Sequence, residues 1–185
     1  MKRFLFILSV LTLAITVSGC KSKNETVNAR IMDNKERIIE ILRSTGRPEI
    51  ESVISHLDTS DFFTRGAGNH HTEPGGLAQH SLEVYRIMRC VAWFQRSDSI
   101  IITAILHDMG KIDGEGWHPW RSVKYLGEWG FKLTNKEYYA IFYQHKAGWK
   151  YYRSSPLRRS LTFSDLISAA WWKLWHKSPK NIDVE

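Results

Sequence analysis

Ile100-Ile101-Ile102-Thr103-Ala104-Ile105-Leu106-His107-Asp108-Met109-Gly110 is the stretch that decides how this chain folds. From Ile100 to Leu106 only Thr103 is polar, so the segment is buried on every side, and its length suits a core strand as well as a core helix. The neighbouring sequence breaks the tie. No flanking segment alternates apolar and polar residues as a half-buried strand does. Asp98 or Ser99 can cap a helix, and Gly110 reads as its stop. The stretch is therefore expected to be a buried helix running to about Met109, in an all-α chain.

Working outward, every periodic segment is helical. On the N-terminal side, Leu77, Val84, Ile87, Met88 and Val91 form the apolar stripe of a helix over about Leu77–Phe94. Before it, Asp61–Gly76 reads as a loop, with four glycines and Pro74. A short helix after Pro48 places Ile50, Val53, Ile54 and Leu57 on one face. Asp33-Asn34-Lys35-Glu36 has capping-box spacing ahead of Ile38, Ile39, Ile41 and Leu42. On the C-terminal side, helices are expected from His118 or Pro119 to Gly130, from the capping box Thr134-Asn135-Lys136-Glu137 to about Lys146, and from about Leu157 to His176, with a loop over Gly148–Pro156. No repeat and no second domain is visible. The expectation is a compact all-α bundle of about six to seven helices over residues 33–180.

The start of the chain has a different character. Lys2 and Arg3 precede an almost wholly apolar run from Phe4 to Val17, which is the pattern of a secretory signal and is short for a membrane span. Its ending, Val17-Ser18-Gly19-Cys20, resembles a bacterial lipobox, which implies a signal peptide over 1–19, a lipid on Cys20, and a membrane lipoprotein on the extracytoplasmic side. An ordinary secretory signal or an uncleaved anchor is the plainer alternative. Residues 20–32 are polar and read as a tether. Cys90 is the one other cysteine, so no internal disulfide framework exists, and it reads as a small core residue. The formal net charge is +7, which favours anionic partners such as phosphates, nucleic acid or acidic lipid without naming one.

Five polar residues occupy inward positions. His80 lies between Leu77 and Val84 at helical spacing, His145 follows Tyr138, Ile141 and Phe142, and Asp165 follows Leu161 and precedes Ala169 and Trp172. His107 and Asp108 close the buried stretch. Taken singly, an inward histidine is a hydrogen-bonded core residue and an inward aspartate is a cap or an ion-pair partner. Together, inward carboxylates and imidazoles satisfy one another by sharing metal ions, because a buried unpaired carboxylate is costly.

At these residues the chain resembles the HD-domain metal-dependent phosphohydrolases. His80, the pair His107–Asp108 and Asp165 match the family's H…HD…D signature. The words Pro74-Gly75-Gly76-Leu77-Ala78-Gln79-His80-Ser81-Leu82 and Ile105-Leu106-His107-Asp108-Met109-Gly110-Lys111-Ile112 are similar to its motifs. The likeness runs from about Ser60 to Trp172. Ser60-Asp61-Phe62-Phe63-Thr64 and His70 resemble the lead-in of a bacterial and phage subgroup, which shares a histidine before the glycines with some HD exoribonucleases and conjugative relaxases. His118 and His145 match the extra histidines of members that hold two metals.

The resemblance implies a helical fold and hydrolysis of phosphate mono- or diesters, often of nucleotides or nucleic acid. It implies one metal on His80, His107, Asp108 and Asp165, with Asp108 bridging to a second on His118 and His145. The cofactor would be one or two divalent ions among Mn, Fe, Zn, Ni, Co and Mg. A hydroxide between two metals would be the nucleophile. Lys111, one helical turn after Asp108, would meet a phosphate oxygen, or else serve as a helix C-terminal lysine.

His70 is expected to touch substrate or transfer a proton, while His71 and His56 read as loop or surface residues and His176 carries no role. Trp149 to Arg159 offers a phosphate or nucleic-acid surface, or an ordinary basic loop. Trp171, Trp172 and Trp175 read as core, or as facing a membrane or partner. The leading expectation is a phosphohydrolase acting on a phosphorylated small molecule or nucleotide. A nuclease and a non-catalytic metal-binding lipoprotein are the alternatives. The export signal sets the usual cytoplasmic nucleotide substrates in question.

Overall fold

A computed structural model describes residues 23–114, 116–145 and 155–176. Among them are seven α-helices and no strand: α1 Lys23–Arg43, α2 Ile50–Thr59, α3 Gly76–Val91, α4 Ser97–Leu106, α5 His118–Glu128, α6 Asn135–Phe142 and α7 Pro156–His176. The all-α expectation holds. None of these helices is long and apolar enough to cross a membrane.

α4 is the central rod. Every side chain from Ser99 to Leu106 is buried, which is why its sequence shows no polar face. α3 packs on α4 along one side and on α7 along the other, while α1 and α2 close the far side of the core. Removing the apolar side chains of such a core from water supplies the main drive to fold.

Several boundaries differ from the sequence reading. Residues 23–32, expected as tether, are the first turns of α1. They contain neither glycine nor proline, and Val27, Ile31, Asn34 and Ile38 continue one helical stripe beneath a polar composition. Asp33 therefore caps nothing and instead pairs with Arg37 one turn on. α4 is not capped by Asp98 or Ser99. Its N-cap is Arg96; Asp98 meets Arg47 and Arg96, and the Ser99 hydroxyl donates to Glu137.

The helix also ends earlier than expected, at Leu106, and a 3-10 turn follows over Met109–Asp113. Gly110 does not stop it with a left-handed backbone. A Cβ there would lie closer than 3.0 Å to the His118 carbonyl oxygen, so this glycine lets the start of α5 cross the turn. The second capping box forms as read: Thr134 Oγ1 accepts from the Glu137 amide, and the Thr134 amide donates to the Glu137 carboxylate. α6 stops at Phe142, before His145.

Burial settles three places that the sequence left open or misread. Cys90 is exposed, on the solvent side of α3 beside Arg89. Trp171 and Trp175 are 60% and 71% exposed and share an outward apolar face of α7 with Phe163, Leu166, Ile167 and Leu174, while Trp172 is half-buried. His71, expected as a loop or surface residue, lies in the loop but is only 1% exposed. Gly76 explains the last point. A Cβ there would collide with the His71 carbonyl, so the missing side chain lets the loop carrying His70 and His71 fold down on the start of α3.

Candidate metal centre

Four helices deliver one cluster. α3 supplies His80 and the turn ending α4 supplies His107 and Asp108. α5 opens with His118 and α7 supplies Asp165. His145 comes from the turn after α6 rather than from its face, and is exposed at the rim. His80 Nε2 lies 3.0 Å from Asp165 Oδ1 and 3.6 Å from Asp108 Oδ2. His107 Nε2 lies 3.4 Å from Asp108 Oδ2 and 3.9 Å from Asp165 Oδ1. On the other side of the same carboxylate, Asp108 Oδ1 is 3.2 Å from His118 Nε2, which is 2.9 Å from His145 Nε2. Both groups, His80–His107–Asp108–Asp165 and Asp108–His118–His145, are tight enough to hold a metal ion, and they share Asp108. His70 and His71 form a third such group with His80.

The ring nitrogens carry a further message. His107 Nδ1 donates to the Ala104 carbonyl across 2.9 Å, so its proton is spoken for and Nε2 bears a lone pair in the neutral ring. His80 Nδ1 is occupied by Ser168 Oγ. Both Nε2 atoms are buried and lack a hydrogen-bond partner, yet both face carboxylate oxygens. Lone pairs set against anions in a buried site repel, and a cation between them removes that repulsion. The donor set of imidazoles and carboxylates suits a divalent transition ion or Mg.

Electrostatics prepare the ligands. Burial works against charge on Asp108, but His107, Lys111 and His118 hold its carboxyl well below the usual range. Asp165 is likewise held low against burial, chiefly by the adjacent His80 ring, with His107 adding to it. Burial pushes His80 down, so that ring stays neutral. On His107 the Asp108 and Asp165 carboxylates raise the pKa against burial, which marks this as a place that favours positive charge. His70 is pushed down to about 3 by burial and by the neighbouring His80, Lys111 and His71, and its ring centre is 4.5 Å from that of His80.

Lys111 is buried. Its Nζ sits 2.6 Å from Asp108 Oδ2 and donates to the Ala67 carbonyl. It reaches Asp108 along the 3-10 turn rather than an α-helical one. It also borders an open cleft with Arg65, Gly66, Ala67, Gly68 and Thr72.

Thus His70, His80, His107, Asp108, Lys111, His118, His145 and Asp165 all gather here. Cys20 and residues 149–154 of the expected basic surface lie outside the described residues. Arg158 from that stretch is buried and donates to the Tyr143 carbonyl. Sequence reasoning passed over Gln144, whose amide donates to Asp108 Oδ1, and Ser122, whose hydroxyl ties the His107 carbonyl to the Gly110 amide. A small hydroxyl residue beside Val123 and Leu126 on the inner face of α5 was the available sign for Ser122. The chain matches no family model, no curated protein and no solved structure.

Proposed function

We propose that the protein is a metal-dependent phosphohydrolase of the HD-domain kind, holding one or two divalent cations on His80, His107, Asp108, Asp165, His118 and His145. The observation that carries the reading is the pair of buried, unpartnered Nε2 lone pairs on His80 and His107 aimed at two ionised carboxylates. A cation bound there supplies positive charge to a phosphate ester and lowers the pKa of a coordinated water.

The chain's own residues do the rest. Asp108 turns one oxygen toward each ligand group, and Lys111 with Gln144 fixes its rotation. Lys111 is therefore the lysine that holds the shared carboxylate. His70, neutral at physiological pH, stands beside the site with its ring centre 4.5 Å from that of His80. The cleft bordered by Arg65, Lys111 and the Gly66–Gly68 loop offers cationic side chains to a substrate phosphate. The substrate class supported best is a phosphorylated small molecule or nucleotide, at a membrane if Cys20 carries lipid.

The test is a hydrolysis panel of nucleotides, cyclic dinucleotides and single-stranded DNA and RNA, each with Mn, Fe, Ni, Co, Zn or Mg. Metal-dependent turnover that Asp108→Ala abolishes supports the proposal. Metal binding without turnover of any substrate would leave a structural or sensory metal centre and overturn the enzymatic reading. Mass spectrometry of the mature N-terminus tests lipidation: a chain beginning anywhere but at a lipidated Cys20 rules it out.

A further inference from the structure

Glu83 lies one turn beyond His80 on α3, makes no hydrogen bond to any of the six proposed ligands among the described residues, and is 26% exposed. It is nonetheless tied down on three sides. Its Oε2 accepts from the Ser168 hydroxyl at 2.9 Å and from His71 Nε2 at 2.9 Å, and its Oε1 accepts from Gln79 Nε2 at 2.8 Å. Gln79 is held in turn by Asn34 of α1. The carboxylate thus joins α1, α3, α7 and the histidine loop. His71 and neighbouring groups keep it ionised despite burial.

Proton counting along these bonds gives a definite result. Ser168 has one hydroxyl proton, and an ionised carboxylate can only accept, so that proton points at Glu83. The Ser168 oxygen, 3.1 Å from His80 Nδ1, must then accept, and His80 must donate from Nδ1. A neutral His80 has no second proton, so Nε2 is left as a lone pair. A second branch obeys the same rule. His71 gives its Nε2 proton to Glu83, so in a neutral His71 Nδ1 accepts. His70 Nδ1, 3.0 Å away, donates to it and keeps its own lone pair on Nε2.

We propose that Glu83, acting through Ser168, is the positioning residue that fixes the tautomer of His80 and so turns the Nε2 lone pair toward the metal position, while through His71 it sets the tautomer of His70. The inference rests on the reading of His80 as a metal ligand. Partners of this kind orient a ligating histidine and raise its basicity, and their loss lowers metal affinity by about 10–100-fold.

The test combines 15N NMR of the histidine rings in metal-free protein with Mn2+ and Zn2+ titrations of wild type, Ser168→Ala and Glu83→Ala. Wild type should show His80 protonated on Nδ1. Both variants should gain the Nε2-protonated form and bind metal about 10–100-fold more weakly. A merely structural role would move neither the ring tautomer nor the titration once folding is confirmed. The wild-type tautomer decides the matter even if a variant fails to fold. His80 protonated on Nε2 in wild type, or wild-type metal affinity in both folded variants, overturns the proposal. An Nδ1-protonated His80 in a wild type that binds no metal would support the relay while overturning the metal-centre reading.

Discussion

Asp108→Asn is the sharpest perturbation of the site, because it keeps the side chain's size and removes only its charge. Asp108 is the residue common to both ligand groups. Its loss leaves His80, His107 and Asp165 with one carboxylate on one side, and His118 and His145 with none on the other. Removing a residue that merely orients a ligand costs 10–100-fold in affinity, so removing a shared anionic ligand should cost at least the upper end, about 100-fold or 2.7 kcal/mol. The consequence for stability follows from mass action. With metal at about 100 times the wild-type Kd, binding stabilises the fold by about 2.7 kcal/mol, and a 100-fold weaker variant under the same conditions gains only about 0.4 kcal/mol. For a domain of this size about 2–4 °C accompanies each kcal/mol. The wild type should therefore gain about 5–11 °C in Tm on adding metal, and Asp108→Asn about 1 °C. Calorimetry with and without Mn2+ or Zn2+, alongside elemental analysis of bound metal, measures both. An equal Tm gain and equal metal content in the variant would show that Asp108 is not a ligand and refute the shared-carboxylate geometry.

Other outcomes follow from single features. Gly110→Ala would drive a methyl into the His118 carbonyl. It should cost about 1–3 kcal/mol in denaturant titrations and weaken metal binding by displacing α5 from the His107–Asp108 turn. In metal-free protein, His70 stays neutral down to about 3 because of burial, whereas an unfolded chain takes up the proton near 6.5. Stability should thus fall as pH drops from about 6.5 toward 3, and His70→Gln should flatten that part of the Tm–pH curve; an unchanged slope would contradict the assignment. Glu83, held near 2 against burial by His71 and Gln79, adds stability above about 4.5 that is lost as pH falls toward 2. Trp171→Gln and Trp175→Gln should each leave Tm within about 2 °C of wild type, since both rings are exposed, whereas Leu161→Ala in the core between α3 and α7 should cost about 2–5 kcal/mol.

The helices were legible because their signals are local. The apolar run of α4, the stripe of α2 and the capping box of α6 each lie within a few turns of chain. The start of α1 was hidden because a polar composition masked its helical period. His80, His107, Asp108, His145 and Asp165 were legible by residue type and inward placement, though His145 arrives by a turn, since α6 ends before it, whereas His118 was singled out only by the family resemblance. The Trp face of α7 was left open between core and an outward face because aromatic content shows that a helix has an apolar side, but not whether another element covers it.

Sequence alone therefore determined the all-α class, most helix boundaries and the set of imidazoles and carboxylates placed to meet, because period and residue chemistry are properties of short segments. Tertiary structure alone decided that His71 is buried against Gly76, that Lys111 and Gln144 hold Asp108, and that His80 offers Nε2. The last depends on Ser168, 88 residues away, and no local pattern specifies a hydrogen bond between side chains brought together only when α3 packs on α7.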